Sequence, residues 1–270
     1  ATAGLTAWDA KHQTGDLRYV VVRRGCFTHE RLVMLLVKDA SNVTTAQREE
    51  IVRGVREHAT SILLGENPDI TDLSYAKTWE VLHGNTILQE EINGILYRIH
   101  PNSFFQTNSY MAGVLQRTVL DLIGSCQDKT ILDLYCGLGF FGIACAKQGA
   151  KVFGHELDAP AIVLARENAE LNGVSDRTSW SAGAVEAYTW ETDTPDIVIV
   201  DPPRSGLHPK ALKTLLEKAP PVILYVSCNY HHLTDELKTL LTTYHLEAVR
   251  ALDLFPHTPH VEVVVKLVKI

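Results

Sequence analysis

Thr130-Ile-Leu-Asp-Leu-Tyr-Cys-Gly-Leu-Gly-Phe-Phe-Gly142 begins as a short apolar strand, residues 130–134, and turns sharply through glycines toward a helix. Small residues at such a turn let backbone amides approach a ligand closely. Dinucleotide enzymes, methyltransferases and purely structural turns share this feature, so the flanking segments must discriminate. Ahead of the turn, residues 107–123 form a long helical pattern. Behind it come a strand (151–155), a helix (160–172), a strand (196–200), a helix (209–218) and a strand (222–227). Regular alternation of this kind predicts an α/β fold with a parallel, doubly wound sheet.

The first third of the chain has a different style. Residues 17–39, LRYVVVRRGCFTHERLVMLLVKD, give two β-rich runs around a polar turn at 25–30, which predicts a hairpin. Residues 45–59 look helical, with Ile51, Val52 and Val55 at helical spacing, and 61–64 and 79–82 look like further strands. A length of 270 residues allows one large domain or two modest ones. The change of style near the Asn93-Gly94 turn predicts two: a small α+β domain over 1–88 and the doubly wound domain over 89–270.

Composition narrows the function classes. Hydrophobic residues at 46% and charged residues at 21% are those of an ordinary globular protein. No apolar run approaches the roughly 20 residues of a spanning helix, so no membrane partner is expected. A net charge of -7 counts against gripping a long nucleic acid by neutralising many phosphates, while a smaller footprint stays open. Arg18, Arg23, Arg24 and Arg31 form a local basic group that reads equally as a solvated strand edge or an RNA contact. Five cysteines, Cys26, Cys126, Cys136, Cys145 and Cys228, include no CxxC pair, and no export signal precedes them. Free thiols in a reducing compartment, the cytoplasm, are expected. His257 and His260 have a spacing that metal ligands use, but no carboxylate cluster or CxxC accompanies them. Ordinary turn histidines and no metal are expected.

Four acids and a thiol stand at strand ends. Asp133 lies at the end of the first strand, and Glu156 closes the next in KVFGHELD, where a carboxylate accepts hydrogen bonds from both ribose hydroxyls of a nucleoside. Glu156 also suits the N-terminus of the following helix. A GxG turn without the full GxGxxG spacing suits S-adenosylmethionine, which has no pyrophosphate, better than NAD. Asp201-Pro-Pro-Arg204 follows the strand DIVIV, with two prolines shaping either a pocket lip or a structural turn. Cys228 ends a strand in YVSCN between polar neighbours, unlike a cysteine that merely fills a core. Glu262 heads an apolar strand, a costly place for a carboxylate unless it is paired or its proton is used.

Jointly, FFQTN (104–108), DLYCGLG (133–139), DPPRSGL (201–207), SCN (227–229) and PHTPHVE (256–262) resemble the RNA 5-methyluridine methyltransferase family. The likeness covers residues 90–270 well, and 1–88 resemble the family's central, RNA-recognition domain. The resemblance implies a class I methyltransferase (Rossmann-like) fold, S-adenosylmethionine as cofactor and RNA as partner. By it Cys228 is the nucleophile and Glu262 the base. Gln106, Tyr135, Glu156 and Asp201 fall on cofactor positions, Asp201 also lies near the target base, and Phe104 falls where an aromatic ring contacts a flipped uracil. The FFQTN form looks closer to members acting on 23S ribosomal RNA, with transfer RNA as the alternative substrate. A non-catalytic RNA-binding factor keeping the fold is the rival of a different class. Two departures bear on this: Phe140 and Ala184 stand where members often carry polar residues. The TRAM domain and four-cysteine iron-sulfur site of many members are not found here, so no cluster is expected, and a monomer is assumed.

The implied chemistry is coherent. Uracil C5 is a poor nucleophile, so thiolate addition at C6 must first enrich it in electrons. C5 then takes the methyl group, and a carboxylate removes the C5 proton so that elimination frees the enzyme.

Overall fold

The computed structural model describes residues 3–190 and 194–270. Two compact units make up the chain, Ala1–Glu91 with Arg98–Ser103, and Ile92–Tyr97 with Phe104–Ile270.

In the first unit, β1 (Leu17–Arg24), β2 (Arg31–Val37), α1 (Thr45–Val55), β3 (Ser61–Glu66) and β4 (Thr78–His83) form a four-stranded sheet in the order β1-β2-β3-β4. The hairpin expected over 17–39 is present as the antiparallel pair β1–β2. Strands β2 and β3 are parallel, and α1 makes the crossover between them. Thr44 and Gln47 close α1 at its N-terminus in a reciprocal capping box. The helix ends at Val55, short of the expected residue 59. Ile51 of α1 packs with Val33, Leu35, Val37, Ile62 and Leu64 of β2 and β3, which explains why those strands are apolar without interruption. The Asn93-Gly94 turn, with both residues at positive φ, joins β5 (Leu88–Ile92) to β6 (Ile95–Ile99).

The second unit is built on a seven-stranded sheet. Its elements are α2 (Ser109–Ile123), β7 (Thr130–Leu134), α3 (Phe140–Lys147), β8 (Lys151–Glu156), α4 (Ala159–Leu171), β9 (Thr178–Ala182), β10 (Ile197–Val200), α5 (Pro209–Lys218), β11 (Val222–Ser227), α6 (Tyr230–Leu240), β12 (Tyr244–Leu252) and β13 (Glu262–Lys269). The strand order is β12-β13-β11-β10-β7-β8-β9. The strands β11, β10, β7, β8 and β9 are parallel neighbours, and the order reverses between β7 and β10, where open α/β sheets bind ligands. Val198, Val200, Ile223, Tyr225, Val265 and Leu267 are among the residues that fill the core beside α5 and α6.

One strand departs from the wholly parallel expectation. β13 runs antiparallel to both β11 and β12. The connection from β12 to β13, residues 253–261, contains no crossover helix, and a parallel return needs one. The reversal has a functional consequence: it brings the first residue of β13, Glu262, to the edge where the parallel strands end.

Candidate functional site

The glycine turn is held by two carboxyl side chains, one buried and one half-buried. Asp133 on β7 is fully buried, and its Oδ2 accepts a 2.8 Å hydrogen bond from the amide of Gly142. That bond satisfies one of the free amides in the first turn of α3, whose N-cap residue Gly139 has no side chain to do so. Burial pushes the Asp133 carboxyl up to about 7, and Glu156 adds to the effect. Asp133 therefore braces the turn from below rather than offering itself at the surface. Glu156, at the end of β8, accepts from the Gly137 amide at 3.2 Å and the Asp158 amide at 3.0 Å. Tyr135, Gly137 and Gly139 all take positive φ, and space is open where a Cβ on Gly137 would project. An added Cβ at Gly142 would sit 2.9 Å from Trp180 and 3.0 Å from Asp133, so glycine is required there.

Asp201, directly after β10, has its carboxyl raised well above the ordinary range by burial, then by Glu262, Asp133 and Glu156. Glu262 is 5% exposed, and burial pushes its carboxyl up to about 7. Ser227 of β11 lies opposite Val263 of β13, so extending the register by one residue sets Cys228 opposite Glu262. Cys126, Cys136 and Cys145 are buried, while Cys228 is half-buried and accessible. Its thiol is raised by burial and by Glu262 and Asp201, with Arg204 acting the other way.

Three loops are tied together around this thiol. The Arg204 guanidinium meets His260 Nδ1 at 3.1 Å, and the Arg204 carbonyl accepts from the Asn229 side chain at 3.1 Å. The Asn108 side chain donates to the Leu254 carbonyl at 3.0 Å, joining the 104–108 segment to the loop before β13. Phe104 is 78% exposed at this segment, and Gln106 is half-buried. Tyr135 is half-buried, with its phenol hydrogen-bonded to the His208 backbone and raised to about 12, chiefly by burial. Phe140 is a packing residue: its ring meets those of Tyr97, Phe105 and Phe141, and its carbonyl accepts from the Tyr97 hydroxyl and the Gln116 amide. Ala184 precedes the short 3-10 turn Val185–Ala187 and caps nothing with its side chain.

All seven residues singled out from sequence thus lie in the second unit, and Cys228, Glu262, Asp201 and Glu156 meet at one sheet edge. Sequence reasoning gave no role to Arg204, Asn229 or His260, although each stands inside a quoted motif. Nothing in their spacing shows that residues 204 and 260 touch. Among the described residues no group of three or more histidines, cysteines or carboxylates is arranged to hold a metal, and His260 faces a guanidinium instead. In the first unit, Arg18 donates to the carbonyls of Asn67, Asp69 and Thr71, so the basic group on β1 is partly spent on its own fold. Among the described residues no helix is long and apolar enough to cross a membrane.

The fold and the glycine turn define a Rossmann-like methyltransferase unit. Its architecture is that of a Methanocaldococcus jannaschii tRNA m1G37 methyltransferase, at a TM-score of 0.58 and 17% identity over 94% of this chain and 72% of that one, which speaks to the fold alone. The sequence model of the tRNA (Uracil-5-)-methyltransferase family matches residues 84–270, and the chain belongs to that family. It is 40% identical to the Pyrococcus horikoshii tRNA (uracil(54)-C(5))-methyltransferase over 98% of its own length and 61% of the relative's. It is 38% identical to an RNA methyltransferase of Clostridium tetani, over 94% and 56%. The crystal structure of the Pyrococcus abyssi tRNA (uracil-54, C5)-methyltransferase with S-adenosyl-L-homocysteine superposes with a TM-score of 0.84 at 39% identity, covering 98% of this chain and 63% of that one. The chain therefore spans about 60% of the length of these archaeal relatives. These archaeal relatives are named for transfer RNA, not for the ribosomal RNA suggested by FFQTN.

Proposed function

We propose that this chain methylates C5 of a uridine in transfer RNA, with S-adenosylmethionine as methyl donor, Cys228 as nucleophile and Glu262 as base. The observation that carries the reading is the β11–β13 register, whose last pair, Ser227 and Val263, leaves Cys228 and Glu262 next in line across the two strands, at the edge that also holds Asp201 and Glu156. The donor set suits this cofactor: Asp133, Asp201 and Glu262 are carboxyls whose ionisation is resisted at this edge, which also holds Glu156, a setting that a bound sulfonium cation relieves and a pyrophosphate worsens. The open space over Gly137 leaves room for a ligand against the turn. Glu156 would take the ribose hydroxyls, with Gln106, Tyr135 and Asp201 completing the cofactor contacts. When bound, S-adenosylmethionine supplies an electrophilic methyl group.

In this reading Cys228 adds through sulfur to C6 of the uracil, and the electron pair displaced from the C5–C6 bond is delocalised toward O4. After C5 has gained its methyl group, Glu262 accepts the C5 proton, the C6–S bond breaks and the thiolate returns. The target base must leave its stack to reach Cys228, and Phe104, whose ring is exposed, would stack on it. The α+β unit over residues 1–88 is assigned to RNA recognition.

The test is incubation with S-adenosylmethionine and 5-fluorouridine-substituted RNA, resolved on a denaturing gel. Fluorine at C5 cannot leave as a proton, so a covalent band with transfer RNA is expected, absent in Cys228→Ala. A band of equal strength in Cys228→Ala would overturn the nucleophile. A band with ribosomal RNA fragments and none with transfer RNA would overturn the substrate.

A further inference from the structure

We infer that His260 is a positioning residue: as a hydrogen-bond acceptor for Arg204, it ties the segment bearing Glu262 to the loop that bears Cys228. The inference rests on the proposed roles of Cys228 and Glu262.

A guanidinium has five donors and no acceptor, and it stays protonated. Across the 3.1 Å contact between Arg204 Nη2 and His260 Nδ1 the guanidinium is therefore the donor and the imidazole nitrogen the acceptor. His260 stands two residues before Glu262, in a loop folded on itself: the Thr258 hydroxyl donates to the Phe255 carbonyl at 2.7 Å and accepts from the His260 amide at 3.2 Å. On the other side, the Arg204 carbonyl accepts from Asn229 Nδ2, and Asn229 follows Cys228 directly. Asn229 is itself fixed, because its Oδ1 accepts from the His231 amide at 3.2 Å and its amide donates to Ser227 Oγ at 3.1 Å.

Arg204 thus joins the residue after the thiol to the residue two before the carboxylate, beyond the point where the β11–β13 ladder stops at Ser227 and Val263. Past that point the pairing of Glu262 with Leu252 of β12 still holds the carboxylate's strand, but no backbone pair joins it to the Cys228 loop, and side chains make that link. Both His260 and Arg204 reach the site from loops, so a lost bond removes the side-chain tie between those loops while the Asn229 bond to the Arg204 carbonyl stays.

Two substitutions separate this role from a merely structural one. In His260→Ala the acceptor is gone, whereas His260→Asn keeps an oxygen near the place of Nδ1 and cannot take a proton. With transfer RNA, His260→Ala should lower kcat by roughly 10- to 100-fold, as expected for about 1 Å of misplacement, while KM changes less than about threefold. His260→Asn should recover to within about threefold of wild type. Arg204→Ala combined with His260→Ala should be no slower than Arg204→Ala alone, because both remove one bond. Equal loss in His260→Ala and His260→Asn, or multiplicative losses in the double variant, would overturn the inference.

A second measurement needs no methylation at all. Iodoacetamide alkylation of Cys228, read by mass at its peptide, should slow by roughly 3- to 10-fold in His260→Ala, because an untethered Arg204 supports the thiolate less. It should stay near the wild-type rate in His260→Asn. An unchanged rate in His260→Ala would overturn the clamp. If the clamp passes this test while the wild type forms no adduct with any RNA, the proposed function fails on its own.

Discussion

Replacing Glu262 with glutamine should make the second unit more stable relative to wild type as pH rises. Burial raises this carboxyl from its ordinary 4.5 to about 7, so the folded state resists its ionisation. Below about pH 4.5 the group is protonated whether the chain is folded or not, and it carries no penalty. Between about 4.5 and 7 the unfolded chain gives up the proton first, and the folded state loses stability with each step of pH. Above 7 the whole difference, up to about 3 kcal/mol, is charged against the fold. Glutamine has the same shape and no titration, so whatever constant cost its buried amide brings does not vary with pH. Urea unfolding of both proteins at pH 4.5 and pH 8 should show the stability difference, variant minus wild type, rising by up to about 3 kcal/mol. A difference that stays flat between the two pH values, or that turns in favour of wild type at pH 8, would refute the argument that Glu262 is buried at a cost.

The same carboxyl should shape catalysis: if Glu262 must be ionised to accept the C5 proton, kcat/KM rises with pH through about 7, and a flat profile from pH 5.5 to 8 would remove it as the base. Gly142→Ala should cost about 1–3 kcal/mol and several degrees in Tm by forcing its new Cβ against Trp180, Asp133 and Val152; an unchanged Tm would show slack in the turn. Tyr225→Phe removes the 2.6 Å bond from the buried phenol to Glu236, whose other oxygen holds the Leu207 amide at 2.8 Å. It should cost about 1.5–3 kcal/mol in denaturant unfolding, and a neutral result would mean that Glu236 is served by solvent.

The sheet centre was legible because its strands are apolar without a break: residues 130–134 and 222–227 were delimited from sequence as the structure has them. Its edges were not. β9, with the sequence TSWSA, and β12, with the sequence YHLEAVRAL, lie at the two ends of the sheet, where one neighbour and partial exposure relax the demand for apolar residues. The hairpin strands β5 and β6 were overlooked although the Asn93-Gly94 turn between them was read, because runs as short as LQEEI carry little periodic signal. The antiparallel sense of β13 was equally hidden, since a strand's residues do not state its direction. Only the short connection before it carried that information.

The site was legible as residues and illegible as a field. Asp133, Glu156, Asp201 and Glu262 each read in sequence as a single acid at the end or beginning of a strand, and a net charge of -7 gave no hint of where the charge gathers. The strand order sums them, because it sets the C-terminal ends of β7, β8 and β10 beside the N-terminal end of β13. Asp201 registers that sum, with burial and three other carboxylates pushing its own carboxyl upward. Cys228 registers it too, through Glu262 and Asp201, and the listening cation is Arg204. A thiol in such company is a reluctant thiolate. Whatever arms it must bring positive charge or keep Arg204 close, and the bond from Arg204 to His260 shows how the chain holds that cation in place.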